Sequence, residues 1–475
     1  MEIGTPPQTY IALLVFVAFV PLSFFIGQRP KKPIDGAMLV FLLSIMFLPE
    51  HTRIDPPLIP AIEKHELGVG LALLTILIRE SARIRRTRPF RGIELLMIPL
   101  ILGAIFQVSA NGAPVIWETN GDPIVLEGLT YYDGISNLMA RTLTYWAPFY
   151  LGRVLVRSPE DLRRFVRNLV IAALVYSFFS MVEQIISPQL HRAIYGYHQH
   201  EFLQTRRMGG WRPMIFMSHG LVVAMFMLIG GSGAIVLSRV KERATRFSPR
   251  GLAIWQVLQV VLMKSTGALI FGIASLSVLA FTSARTQLRV ALIFVAIIMA
   301  YPLSKVEGVF PAAAILSTAK SLTGEQRGES LGDRFRNDAM LVDRAKERMY
   351  FGWGGYKRSE VFNRWGQKET VPDATWVILM GHMGLVGLLP FFTIMCWPII
   401  ALWRTFRRIP TNQERLIASG VAMMIITYGF DLLLNSMQNG LPMLLPGALM
   451  GAVGYYRGGK KAQAQRMQKR VPVAV

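Results

Sequence analysis

The apolar residues of this chain are gathered into blocks close to the length of a bilayer, and that segregation constrains the fold more than any other feature. The blocks run near 10–27, 37–49, 58–78, 94–109, 135–156, 168–186, 214–238, 252–283, 287–303, 374–400, 416–435 and 440–456. A helix needs roughly 20 apolar residues to cross about 30 Å of hydrocarbon. Most blocks reach that length, and those at 37–49 and 94–109 are short. Composition agrees, because 52% hydrophobic and 17% charged residues in 475 leave too little charge for a water-covered surface. The first block follows Met1–Tyr10, which has no Lys or Arg. Without a positive leader or a small-residue cleavage site, it reads as a retained span.

The net charge of +22 suggests nucleic acid until its placement is considered. Arg79, Arg83, Arg85, Arg86, Arg88 and Arg91 stand against Glu80 alone in one connection, and further runs follow at 157–167, 239–250, 404–408 and 457–470. The connection at 110–134 is the reverse, with Glu118, Asp122, Glu127 and Asp133 and no Lys or Arg. Such alternation is the mark of a threaded membrane chain whose basic loops face the cytoplasm. The basic residues therefore report orientation and contact with anionic lipid, and no nucleic-acid partner is expected. The resulting fold class is all-α, a polytopic transmembrane bundle. Its N-terminus is expected outside and its tail inside, with an odd number of spans, about 11–13. The open stretch is 252–303, which Lys264 and Arg285 interrupt. The expected organisation is membrane helices over 1–303, a large extracytoplasmic loop with short helices over 304–372, membrane helices over 373–456 and a basic tail over 457–475.

Cys396, the sole cysteine, falls inside a block, so no intramolecular disulfide is available. The seven histidines lack the H-x-x-x-H or H-E-x-x-H spacing of a zinc site, and no phosphate-cradling G-x-x-x-x-G-K-[ST] occurs. Neither a metal nor a cofactor is expected.

Ionisable residues within or beside the blocks carry the functional signal, since a charge at membrane depth is costly unless it faces a cavity or a partner. Arg141, Glu183 and Asp431 are such groups. A denser set opens the seventh block in Arg206-Arg207-Met208-Gly209-Gly210-Trp211-Arg212, ending at Ser218-His219-Gly220. Arginines beside a helix start suit a phosphate or diphosphate, and snorkelling to headgroups is the plainer alternative. Arg285 stands between apolar stretches. The outer loop adds Asp333-Arg334-Phe335-Arg336, a helix expected over 333–349, and Tyr350-Phe351-Gly352-Trp353-Gly354-Gly355-Tyr356. Trp353 and its neighbours suit either stacking on sugar rings or plain folding of the loop.

The order Arg207–Gly210, Ser283–Arg285, Arg334, Gly352–Gly354 and Gly384-Leu385-Val386-Gly387-Leu388 resembles the O-antigen ligase and polymerase (WaaL/Wzy-type) superfamily across residues 200–400. The resemblance implies a GT-C-like, metal-independent, inverting glycosyltransferase. Its donor would be a polyprenyl-diphosphate-linked glycan and its acceptor a glycan or glycolipid hydroxyl at the periplasmic face of a bacterial inner membrane. Membrane lipid and polysaccharide assembly proteins would be its partners. It also implies that Arg207 and Arg285 bind the donor diphosphate, with Arg212 added from its spacing.

The family's His-Asn pair is replaced here by Pro372-Asp373-Ala374-Thr375-Trp376, and Ala284 is inserted in the Ser-Arg motif. The missing His favours a polymerase over a ligase and leaves Asp373 as the candidate base. His382, nine residues further on, would sit about 180° round and roughly 13 Å deeper on one continuous helix. A diphosphate needs little help to leave, so arginines and one base suffice. The substrate-binding set is then Arg207, Arg212, Arg285, Arg334, Arg141, Glu183, His219 and Trp353. A lipid-linked-sugar transporter or a non-catalytic export subunit would use the same charges differently. The diphosphate pocket requires Arg207 and Arg285 on one face of the membrane.

Overall fold

The computed structural model describes residues 9–56, 60–323, 325–436 and 439–458. Residues 1–8 and the basic tail from 459 lie outside the described residues. The fold is a helical bundle. Its elements in order begin with α1 Tyr10–Gln28, α2 Pro33–Phe47, α3 Lys64–Arg86 and α4 Met97–Ala110. A small hairpin, β1 Val115–Trp117 and β2 Ile124–Leu126, precedes α5 Tyr131–Arg141, which runs through a π-helical turn into α6 Ala147–Leu155. Then come α7 Pro159–Ile186, the short α8 Leu190–Tyr195 and a second hairpin, β3 Arg206–Arg207 and β4 Gly210–Trp211. The remaining helices are α9 Gly220–Arg239, α10 Pro249–Leu262, α11 Thr266–Phe281, α12 Ala284–Val306, α13 Ala312–Thr323, α14 Glu325–Lys346, α15 Thr375–Thr405, α16 Asn412–Asp431 and α17 Leu441–Arg457.

Among the described residues, 6 helices are long and apolar enough to cross a membrane: Tyr10–Gln28, Gly92–Ala110, Pro159–Ile186, Gly220–Arg239, Ala284–Val306 and Thr375–Arg408. They make the chain a multi-pass, membrane-embedded helical protein. The apolar window of α9 is 94% buried inside the bundle and that of α1 only 28%, so α9 is the central helix and α1 a peripheral one. Local sequence sets where the helices begin. Ser158, Ser248, Ser265, Ser283 and Thr411 each cap a helix by accepting a backbone N–H from its first turn.

The bundle has two chemically distinct ends. At one, the connections 48–63, 111–130, 187–219 and 307–374 gather: Glu50 N–H donates to His191 Nε2 (3.2 Å), Arg358 donates to the carbonyls of Asn111 and Ala113, and Asn120 N–H donates to Arg364 O (2.7 Å). This is called the loop end below. At the other, the basic end, Arg83 meets Asp161, Arg164 meets Asp35 and Arg163 meets Glu242.

The stretch 252–303, for which the sequence leaves one, two or three crossings open, contains α10, α11 and most of α12. The chain breaks at Lys264 (φ 48), so α10 and α11 run antiparallel, both packed on α9. Arg212 donates to Lys264 O (3.3 Å) at the loop end, while Arg239, the last residue of α9, donates to Leu279 O (2.7 Å) and Thr282 O (2.5 Å). Lys264 and Thr282 therefore lie at opposite ends of the bundle. The segment between α12 and α15 contains a helix over most of the expected 333–349, as the longer α14 Glu325–Lys346, and it is preceded by α13.

Helix α15 is broken at Gly384 (φ 62, ψ −160), and the glycine-rich loop enters the break. Trp353 N–H donates to Gly381 O (2.8 Å) and Gly354 N–H to His382 O (3.1 Å), while the amides of Leu385 and Val386 donate to Met349 O and Tyr350 O. Gly352 (φ +69) and Gly384 face each other's backbone so closely that a Cβ on either would overlap the other strand. Glycine is required at both positions on two counts, positive φ and lack of space.

Candidate functional site

Residues 196–219 form the best-built polar feature of the loop end, and their geometry begins with the backbone of 213–217. This segment is not helical, contrary to the expectation that the seventh span opens near Met214; α9 begins at Gly220. Buried side chains satisfy its backbone instead. The Glu183 carboxylate accepts from Met214 N (2.8 Å), Ile215 N (2.7 Å) and Leu190 N (3.0 Å). The Tyr176 hydroxyl accepts from Phe216 N (3.1 Å), Gln199 donates to Ile215 O and Met217 O, and Lys64 donates to Phe216 O (2.8 Å) while paired with Glu50. So many fixed partners hold Ile215 at φ 54, a region that a β-branched residue enters only under constraint.

This scaffold presents a group of cations. Arg206 and Arg207 are exposed on β3, and Arg212 lies behind them, 7% exposed, beside half-buried Lys264. A Cβ on Gly210 would collide with the Lys264 ammonium, which lies against the hairpin. His219 caps α9 through Nδ1, accepting from Leu221 N (3.0 Å), and stacks edge-on against His200 at 4.6 Å. Burial, and then the neighbouring Arg207, lowers Arg212 to about 10, and burial with His200, Arg212 and Arg207 lowers His219 to about 3. His219 is thus a neutral imidazole. Among the described residues no carboxylate lies within ion-pair distance of Arg206, Arg207, Arg212 or Lys264, and buried Arg212 Nε has no hydrogen-bond partner. A buried guanidinium with an unused Nε–H and no carboxylate, beside further cations, is chemically suited to an anion.

A second polar group occupies the same end. Asp338 on α14 pairs with Lys305 at 3.6 Å, and the Lys305 ammonium also lies over the Phe335 ring (4.0 Å) and the Phe310 ring (4.5 Å). Asp373 is exposed and is pinned on both flanks. Asn337 exchanges hydrogen bonds with Val371, and Thr375 N–H donates to Leu432 O and Asn435 O at the end of α16. Arg334 is exposed on α14 and donates to Leu434 O (3.5 Å). Phe430 of α16 packs on Phe271 of α11 at 5.1 Å, so the two polar groups occupy adjoining sectors of one end. Burial, opposed by Lys305 and reinforced by Asp373, pushes Asp338 up to about 6.

Several expected site residues do other work. Arg285 sits in the first turn of α12, capped by Ser283, at the basic end with Arg404 and Arg407. It is separated from Arg207 by the length of α9, roughly 30 Å, so the Arg207–Arg285 pocket does not form. The reason is the extra reversal at Lys264. Glu183 has its acceptor capacity filled by three backbone amides and positions the loop from beneath. Arg141 is buried and donates to Leu100 O (3.1 Å) and Gln107 Oε1 (2.6 Å), while Gln107 Nε2 donates to the carbonyls of Phe351 and His382. Arg141 therefore tethers the glycine-rich loop. Trp353 is 5% exposed, donates to Arg344 O and is covered by the Arg344 guanidinium at 3.5 Å, which leaves no face for a sugar. Asp373 precedes α15 and does not share a continuous helix with His382, because α15 starts at Thr375 after the cap residue Ala374.

Sequence reasoning missed Lys264, His200, Lys305 and Asp338 as members of these groups. The only forward signal for Lys264 was that it interrupts the apolar stretch 252–303. No known protein family matches the chain, and no curated protein matches it either.

Proposed function

We propose that this protein is a metal-independent, inverting glycosyltransferase that polymerises or ligates glycan from a polyprenyl-diphosphate-linked donor, with its site at the loop end. The observation that carries the reading is Arg212: buried, with a free Nε, and grouped with Arg207 and Lys264 without any carboxylate. In this reading the loop end faces the periplasm and the basic end the cytoplasm of a bacterial inner membrane, in keeping with the positive-inside bias. Helices α1, α2, α3, α4, α5 with α6, α7, α9, α10, α11, α12, α15, α16 and α17 each cross once, an odd number that puts the N-terminus outside and the C-terminus inside. The GT-C-like relationship belongs to the same proposal. The donor site is Arg207, Arg212 and Lys264, and Arg285 has no part in it.

The chemistry needs only these groups. The acceptor hydroxyl oxygen bonds to the anomeric carbon from the face opposite the diphosphate, and its proton passes to the Asp373 carboxylate. The bond from the anomeric carbon to the diphosphate oxygen breaks, and the electron pair departs on the diphosphate held by Arg212, Arg207 and Lys264. Polymerase is preferred over ligase because Asp373 stands where the ligases carry a His-Asn pair.

The test is transfer by purified protein from a polyprenyl-diphosphate-linked repeat unit, without added metal or nucleotide. Arg212→Ala should lower the rate by roughly 100-fold, with Arg212→Lys retaining part of it. Full activity in Arg212→Ala removes this donor site. Movement of an unreacted lipid-linked sugar between leaflets, without any new glycosidic bond, replaces the enzyme by a transporter.

A further inference from the structure

The residue that the donor site loses, Arg285, lines a cavity of its own. At the basic end a cavity of about 640 Å³ is bounded by Ser283 and Arg285 at the start of α12, Trp403 and Arg404 at the end of α15, Arg407 in the turn that follows, and Arg415 in the first turns of α16. Four guanidinium groups, from three helices and a turn, face one space, and no carboxylate is among its lining residues.

Five arginines elsewhere at this end are matched: Arg83 with Asp161, Arg153 with Glu94, Arg163 with Glu242, and Arg164 and Arg167 with Asp35. Arg285, Arg404, Arg407 and Arg415 have no ion pair among the described residues. Arg415 Nε donates to Ile409 O (3.0 Å) and its guanidinium lies over Phe406 (5.5 Å), and Arg404 lies beside Trp397 (5.2 Å). The carboxylate nearest in sequence, Glu414, accepts from the Tyr456 hydroxyl (3.0 Å) instead. Like charges crowded into one concavity repel unless an anion neutralises them.

The helix starts add to the field. The first turn of α12 and that of α16 both border the cavity, so partial positive charge from their free N–H ends reinforces the arginines. Trp403 at the rim, 38% exposed, supplies an apolar wall suited to the glycerol and first methylenes of a lipid.

We propose that this cavity is a binding site for a phosphate-bearing headgroup, distinct from the donor site at the loop end and independent of whether glycan transfer occurs there. Its place gives it leverage. Helices α12 and α15 bracket residues 307–374, so an anion held between their bases ties together the two helices that carry the loop.

The test uses the full-length protein in detergent, with dioleoyl phosphatidic acid, dioleoyl phosphatidylcholine and inorganic phosphate as probes, read by native mass spectrometry and thermal unfolding. Phosphatidic acid should bind and raise Tm, and the Arg285→Gln/Arg407→Gln variant should weaken that binding by roughly tenfold or more. The Arg285→Lys/Arg407→Lys variant, which keeps the charge, should retain most of it and serves as the control for folding. Competition by millimolar inorganic phosphate assigns the site to a soluble phosphate group, and lack of competition assigns it to a lipid; either supports a phosphate site. Equal binding of phosphatidylcholine, or unchanged phosphatidic acid binding in the glutamine variant, overturns the proposal.

Discussion

At the basic end of the bundle Arg83, Arg153, Arg163, Arg164 and Arg167 are answered by carboxylates, whereas at the loop end Arg206, Arg207, Arg212 and Lys264 have none within ion-pair reach among the described residues. The contrast teaches that the number of arginines carries little functional information and that their pairing carries much. A paired arginine such as Arg83, which bonds Asp161, Glu80 and Leu155 O, fastens helices together. An unpaired one on a rigid support such as Arg212 keeps its binding capacity free. The cavity around Arg285 gathers four arginines of the basic end that no carboxylate answers among the described residues.

The largest effect should come from breaking the pairing. Arg153 lies against Glu94, which is 1% exposed, and Arg153→Gln leaves that carboxylate buried without a cation. A loss of about 3–5 kcal/mol is expected in denaturation of the detergent-solubilised protein, whereas Arg207→Gln should leave stability unchanged. Equal losses in the two variants would erase the distinction between the ends.

The support beneath the cations comes next. Glu183→Ala removes the acceptor of three amides and should cost about 3 kcal/mol, with faster hydrogen exchange at Met214 and Ile215. Unaltered exchange there would mean that Tyr176, Gln199 and Lys64 hold the segment without it.

Asp338 gives a smaller effect with a defined sign. Its carboxyl, pushed up to about 6, binds its proton more tightly folded than unfolded, so folding gains from the neutral form. Stability should fall by about 2 kcal/mol as pH rises from about 4 through 6 and then level off. Asp338→Asn should abolish this slope, and a slope of the opposite sign in the parent would show that the Lys305 pairing outweighs burial. Least of all, the exposed Asp333–Arg336 pair, 65% and 74% exposed, should change stability by less than about 0.5 kcal/mol when Asp333→Asn breaks it.

The helical bundle was legible because lipid demands long apolar runs, and most blocks read from sequence overlie helices. The alternation of basic and acidic connections was legible for the same reason. The break at Lys264 was harder to read. The signal there is short, Lys264-Ser265-Thr266-Gly267 with Ser265 as the cap of α11, and the reversal puts the lysine at positive φ between two helices of 14 and 16 residues. One, two or three crossings were open for 252–303, and the three helices that form put Arg285 at the basic end, away from the Arg207 with which the resemblance grouped it. The roles of Arg141, Glu183 and Trp353 were hidden for another reason. A buried charge or ring is consistent with either a ligand or a scaffold, and only the partners of Gln107, Met214 and Arg344 decide between them. The cluster at Arg207 and Arg212 was visible as a group, yet it rests on a hairpin rather than on the helix start.

The interlock between the glycine-rich loop and the break in α15 has a mechanical consequence. Carbonyls and amides that an unbroken helix would pair internally are instead shared with residues 349–354, so the outer segment and the membrane helix form one hydrogen-bonded body at that point. The glycine-rich segment cannot swing away like a hinged lid without unzipping part of α15. Because the loop bonds residues on both sides of Gly384, any motion that admits a bulky acceptor must carry that stretch of the helix along with it.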